Sequence, residues 1–315
     1  MGYFTMRLCK NARMALPGDL LPDWTDLHYF LELARAGTLS GSARRLGVEH
    51  TTVARRIQRL EEQIKTPLFD RRREGYRLTE IGQALLPHAE AMESAMLSAS
   101  EQLGGTHGGA RGRVRVGAPE VFGTLVIANH LRPLLDDNPE LHLDLLLLPR
   151  IANLAAREAD LGVTLEPPET GRYVVSRLTP VRSYLYAAPS YLARHGPIRS
   201  RDELSRHAFV GYVEDWMLSS GLNFIDELGL VPERRFCSTG MLAQYQAALS
   251  GVGLVLMPPY AAADGRLVPV LADSFYAERE FWLVTPADLF KLQRIRVVWD
   301  HLRHIAENEP RLFVR

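Results

Sequence analysis

Leu27, Phe30, Leu31 and Ala34 fall on one side of a helical repeat, which predicts a helix starting near Trp24 with that face buried. Thr25 stands where a cap is needed and Gly37 where the helix can end. A short second helix follows, capped by Ser40, burying Ala43 and Leu46 and closed by Gly47. Val53, Ile57, Leu60 and Ile64 then form the apolar stripe of a third helix. Three short helices within about forty residues, with a tight glycine turn between the second and third, predict a helix-turn-helix.

Residues 67–78 place Gly75 between two short extended runs, the pattern of a small β-hairpin; beside a helix-turn-helix such a hairpin is a wing. Residues 79–103 read as one long helix. Ile81, Leu85, His88, Met92, Ala95, Ala99 and Leu103 alternate in steps of four and three, a heptad-like seam whose simplest partner is the same helix of a second copy. Pro87 inside it predicts a kink or two helices end to end. Five glycines in residues 104–112 predict a hinge. Beyond it, strand and helix signals alternate. Strands are expected at Val114–Ala118, Leu141–Leu148, Leu161–Leu165, Ser183–Ala188, Phe209–Tyr212, Val252–Met257 and Phe281–Thr285. Helices are expected from Ala118 to about Asp137 and from near Pro189, Ser238 and Asp288. This is an α/β pattern with mostly parallel sheets, long enough for two lobes. Residues 1–22 show no periodicity and are expected to be a flexible tail.

Composition narrows the function classes. The chain has 315 residues, 46% hydrophobic and 23% charged, enough for large cores in about two domains. Its net charge is +0, which excludes a uniformly basic coat but not a local basic patch. The longest nearly apolar run, Gly251–Ala263, is too short to span a bilayer, and the opening residues lack the apolar stretch of a secretory leader. Cys9 and Cys237 make no disulfide framework; a cytoplasmic protein is expected.

The residues from Asp26 to Glu90 resemble the winged helix-turn-helix of LysR-type transcriptional regulators almost without gaps. Val114–Gly123, Arg157–Thr164, Ser250–Ala262, Asp264–Leu271 and Glu280–Thr285 resemble landmarks of that family's effector-binding domain, in the right order. The resemblance covers about nine tenths of the chain. It implies an α+β multi-domain protein: a winged helix-turn-helix (23–78), a linker and dimerisation helix (79–103), a hinge (104–112) and a two-lobed α/β effector-binding domain like that of periplasmic binding proteins (113–315). Lobe I is expected at about 113–182 and 278–315, and lobe II at about 183–277. It also implies double-stranded promoter DNA, a small-molecule effector and a second copy or a tetramer as partners, admits RNA polymerase as a further one, and requires no cofactor. The chain departs from many relatives at the start of the third helix, where Glu49, His50, Thr51 and Thr52 stand, with Ala54 where a serine is usual. The operator sequence therefore does not carry over.

Between Arg44 and Arg77 there are ten basic side chains against five acidic ones, a local positive excess that suits phosphates. The candidate DNA-binding residues are Ser40, Arg44, His50, Thr51, Thr52, Arg55, Arg56 and Arg59 on the helices and Arg71, Arg72, Arg73 and Arg77 at the wing. Arginine can bond guanine through two donors, and a threonine methyl can touch thymine. The plain alternative is a solvated basic face, with some wing arginines paired to Asp70 or Glu74. In the C-terminal part, Pro119, Glu120, Val121 and Phe122 follow the first strand, and Ser238, Thr239 and Gly240 open a helix whose amide groups can hold an anion. The resemblance implies that these residues, with Thr164, touch the effector. Val121 stands where relatives often carry a hydroxyl, and Glu120 is adjacent; both argue against a simple carboxylate effector. His301 and His304 lack neighbouring ligands, so no metal site is expected. Gly251-Val252-Gly253 lacks a third glycine, and no nucleophile, base and oxyanion set can be assembled, so no enzyme is expected. A ligand-binding module without DNA binding is the rival reading.

Overall fold

The computed structural model describes residues 22–103, 109–147, 154, 157–213 and 233–309. The expected N-terminal tail up to residue 21 and residues 104–108 of the expected hinge lie outside them. The chain divides into two compact units, one ending at Glu93 and one beginning at Ser94.

The first unit holds α1 (Trp24–Ala36), α2 (Leu39–Leu46), α3 (His50–Ile64), β1 (Phe69–Arg72), β2 (Gly75–Leu78) and the first part of α4 (Glu80–Leu103). Leu27, Phe30, Leu31, Val53, Ile57, Leu60, Leu68 and Phe69 form its core. Full burial of such a side chain stabilises by about 1.5–3 kcal/mol, so the stripes themselves hold the three helices together. The caps differ from expectation. Asp23, not Thr25, caps α1, its Oδ1 accepting from the Thr25 N–H at 2.8 Å. Thr38, not Ser40, caps α2, its Oγ1 accepting from the Gly41 N–H at 3.1 Å. The reason is backbone shape: a cap needs extended geometry, which Asp23 and Thr38 have, whereas Thr25 and Ser40 are already inside the helix.

The hairpin forms as expected, antiparallel, with Phe69 opposite Leu78 and Arg72 opposite Gly75. Two devices fasten it. The Glu61 carboxylate accepts from the Leu68 and Phe69 N–H groups at 2.7 and 3.1 Å, tying its entry to α3. The Tyr76 N–H donates to the Gly37 carbonyl at 2.7 Å, tying its far strand to the α1–α2 corner. Gly75 sits at φ 138°, and a Cβ there would lie 2.3 Å from that same carbonyl. Gly75→Ala is therefore expected to cost at least about 1 kcal/mol in backbone strain. It should also push the wing off the α1–α2 corner, seen as faster amide hydrogen exchange over residues 69–78.

α4 is one continuous helix with Pro87 inside it, so of the two expected alternatives, a kink or two helices end to end, the second does not occur. Ile81, His88, Met92, Ala95 and Ala99 are exposed, and Leu85 is half-buried against the first unit's core. Leu103 belongs to the helix, and its side chain is outside the described set.

The second unit is built on one sheet in the order β4-β3-β5-β11-β6-β9-β7-β8, with β10 also pairing β6. Its strands are β3 (Gly112–Ala118), β4 (Leu141–Leu147), β5 (Leu161–Thr164), β6 (Tyr173–Ala187), β7 (Phe209–Gly211), β8 (Arg234–Cys237), β9 (Leu254–Met257), β10 (Val268–Val270) and β11 (Ala277–Pro286). The expected predominance of parallel pairing is corrected. The β3–β4, β3–β5, β7–β8 and β7–β9 pairs are parallel, but β6 and β11 make only antiparallel pairs. β6 pairs with β11 up to Ser183 and with β9 from Tyr184 on, so one strand serves both halves of the sheet. Apolar periodicity reports burial and carries no strand direction, which is why the sequence pattern missed this.

The helical segment after β3 is not one regular helix. α5 (Glu120–Phe122) runs through a π turn and a 3-10 turn into α6 (Leu131–Asp137). α7 (Pro189–His195) starts where expected. α8 (Met241–Leu249) starts after Gly240, three residues later than expected. α9 (Gln293–Asn308) is preceded by a 3-10 turn at Leu289–Lys291, which occupies the expected helix start.

Candidate functional site

The first site lies on the helix-turn-helix. Burying Val53, Ile57 and Leu60 turns the opposite edge of α3 outward. His50, Thr51 and Arg55 are exposed there and Thr52 is half-buried. Ser40, Arg44, Arg71, Arg72, Arg73 and Arg77 are also exposed. Thr38, Leu39, Ser40, His50, Gly75 and Tyr76 line one open groove of about 360 Å³. The start of α2, the start of α3 and the wing thus meet at one surface.

The cations of this surface fall into two groups. Arg56 reaches back to Asp26, a fully buried carboxylate, at 3.0 Å, and its guanidinium lies over the Tyr29 ring at 5.7 Å. Arg59 adds a second contact to Asp26 at 3.3 Å and one to Asp23 at 3.9 Å. Arg45 pairs with Glu32 at 2.7 Å, and Glu32 also pairs with Arg35. The Thr25 backbone N–H, then its hydroxyl, hold the Asp23 carboxyl below the usual range, and Arg59 adds to this. The other group is uncommitted. Arg44, Arg55, Arg72, Arg73 and Arg77 have no ion-pair partner among the described residues, and none pairs with Asp70 or Glu74. Arg71 rests over the Tyr76 ring at 5.9 Å. Asp26 and Glu32 were not singled out from sequence. The available signal was a carboxylate on the apolar face of α1, which demands a cation.

The second site lies between the two halves of the sheet. Pro119, Glu120, Val121, Leu165, Val181, Ser183, Tyr212, Met241, Pro258, Tyr260 and Phe281 line a cavity of about 40 Å³. Of the expected effector residues, Pro119, Glu120 and Val121 are in this lining and the others are not. Phe122 is buried behind it, edge-on to Phe281 at 4.8 Å and to Tyr260 at 6.3 Å. The buried Thr164 donates its hydroxyl to the Glu166 carbonyl at 2.7 Å. Ser238 accepts from the Gly240 N–H at 3.1 Å, and Thr239 is exposed.

Most of the wall was missed from sequence because it comes from six separate chain segments besides residues 119–121. Val181 and Ser183, two apart on β6, share a strand face, which was the readable hint. The Tyr260 hydroxyl is driven strongly upward in pKa by burial, and that of Tyr212 by burial and then by the Glu120 charge. Both stay protonated at neutral pH. Among the described residues no group of three or more His, Cys, Asp or Glu is arranged to hold a metal, and no helix is long and apolar enough to cross a membrane.

Residues 24–83 match the model of the bacterial regulatory helix-turn-helix protein, lysR family, and residues 107–307 match that of the LysR substrate binding domain. The chain is 29% identical over 289 residues to the HTH-type transcriptional activator TtdR of Escherichia coli K12, covering 88% of this chain and 91% of that protein. Among solved structures, CrgA of Neisseria meningitidis, a LysR-type transcriptional regulator, aligns with a TM-score of 0.56 at 24% identity, over 90% of this chain and 99% of that one. ArgP of Mycobacterium tuberculosis aligns at 0.67 and 19% identity, over 90% and 97%. With both domain models matched in order along one chain, and full-length regulators sharing its fold, this chain belongs to the LysR family of DNA-binding transcription regulators.

Proposed function

We propose that the chain works as a homo-oligomeric promoter-binding switch in the cytoplasm, at the nucleoid, without catalytic activity. In this reading residues 23–78 are the DNA-binding domain. The front of α3 enters the major groove with Thr51, Thr52 and Arg55, and Arg44 and the wing arginines hold phosphates. The observation that carries it is the set of uncommitted cations. Five exposed arginines are left without acidic partners while Arg45, Arg56 and Arg59 are neutralised by the chain itself. A ligand-binding module without DNA binding has no use for such a set. Binding of the purified chain to DNA flanking its own gene should fall steeply with salt, since each released phosphate counterion adds to the slope. A salt-independent affinity would remove the proposal.

Oligomerisation is assigned to the seam of α4. Ile81 and Met92 are about half exposed although apolar, at 50% and 44%, and Met96 beside them at 56%. Apolar side chains exposed along one helix face suit a partner helix. Met92→Glu is expected to shift the chain toward monomer in light scattering and to weaken DNA binding, because one half-site contact is lost. RNA polymerase is a further partner in this scheme. An effector in the second cavity would act by binding two arrangements of the oligomer with different affinity.

A further inference from the structure

The cavity between the two halves of the sheet contains its own anion. Glu120 stands at the start of α5, directly after β3, yet its Oε2 accepts from the backbone N–H of Leu242 in the first turn of α8 at 3.2 Å. Gly240, the residue that opens α8, lies so close that a Cβ there would sit 3.0 and 3.1 Å from the two Glu120 oxygens. The amino end of a helix is where an anionic ligand is best held, through free N–H groups and the helix dipole. Here a carboxylate from the opposite wall already takes that place.

The rest of the lining points to the chemistry of a ligand. Among the described lining residues there is no Lys, Arg or His to balance a second negative charge. The walls are mainly apolar and aromatic: Pro119, Val121, Leu165, Val181, Met241 and Phe281. Three hydroxyls line the same cavity, those of Ser183, Tyr212 and Tyr260, and none has a hydrogen-bond partner among the described residues. Ser183 and Tyr260 are otherwise buried, at 2% and 4% exposed. These hydroxyls are available to a ligand group that can hydrogen-bond to them. We propose that the Glu120 carboxylate is a built-in anion that fills the amino end of α8, and that the cavity therefore takes a non-anionic small molecule with a largely apolar body and a hydrogen-bonding group. This rests on reading the cavity as the effector site.

At about 40 Å³ the cavity is far smaller than the roughly 300–1,000 Å³ of ordinary ligand pockets. A ligand enters only if its walls separate, and the Glu120 to Leu242 bond is a contact that spans them. The same carboxylate thus rejects anions and resists opening.

The test uses the full chain and three probes that share a benzyl or benzoyl body: benzyl alcohol, benzylamine and benzoate. Dissociation constants are measured by ligand-observed NMR on wild type, Glu120→Gln and Glu120→Ser, with each variant's melting checked without ligand. The tighter of the alcohol and the amine should bind wild type at least tenfold more tightly than benzoate. In the glutamine variant, or the serine variant should glutamine not fold, that preference should collapse through a gain in benzoate affinity. Equal or tighter binding of benzoate to wild type overturns the ligand class and leaves the cavity as a ligand site. A preference that persists unchanged in both variants overturns the role of Glu120. If no probe binds any of the proteins, the ligand class and the reading of the cavity as an effector site both fall, while DNA binding remains to be judged on its own measurement.

Discussion

Arg56→Ala is expected to lower the stability of the helix-turn-helix unit by about 3 kcal/mol, the usual scale for removing one partner of a buried ion pair. Asp26 is completely buried, and Arg56 is its nearest cation at 3.0 Å. Truncation strands that carboxylate with Arg59, whose side chain is 61% exposed and whose charge is therefore well screened by water. Stacking on Tyr29 is lost as well. Native-state hydrogen exchange reads the effect directly, because α1 and α3 amides should exchange roughly a hundredfold faster, 1.4 kcal/mol being a factor of ten. Replacing both partners, Asp26→Leu with Arg56→Leu, should recover much of the loss, since no uncompensated charge remains. Unchanged exchange in α1 and α3, together with weaker DNA binding, would show that Arg56 faces DNA and not Asp26.

Arg55→Ala should do the reverse. Its side chain is exposed at the front of α3 and has no acidic partner among the described residues, so the fold has little to lose. Removing a base-reading arginine typically costs about 1–3 kcal/mol, or roughly ten- to a hundredfold in affinity. Fluorescence anisotropy at one fixed salt concentration should show that loss with unaltered hydrogen exchange in α3. Neighbours in sequence, Arg55 and Arg56 are thus expected to separate into a DNA contact and a structural clamp. An Arg55→Ala variant that binds promoter DNA as tightly as wild type would leave the outward edge of α3 without a role in reading.

That separation marks the boundary of what sequence alone determined. The helical stripes, the wing and the long α4 were all legible, because each follows from local periodicity and from a few turn residues acting within one element. The excess of basic residues between Arg44 and Arg77 was legible for the same reason. Which of those cations stay free was not, since the acids that neutralise Arg45, Arg56 and Arg59 sit on or before α1, 13 to 36 residues away in sequence. The second site shows the same limit more strongly. Glu120 and the residues opening α8 could each be picked out as candidates, but only folding brings a carboxylate and a helix end 122 positions apart into hydrogen-bond contact. Local pattern decides which side chains are buried and which elements form. Long-range packing decides which charges meet, and through that what each site is left free to bind.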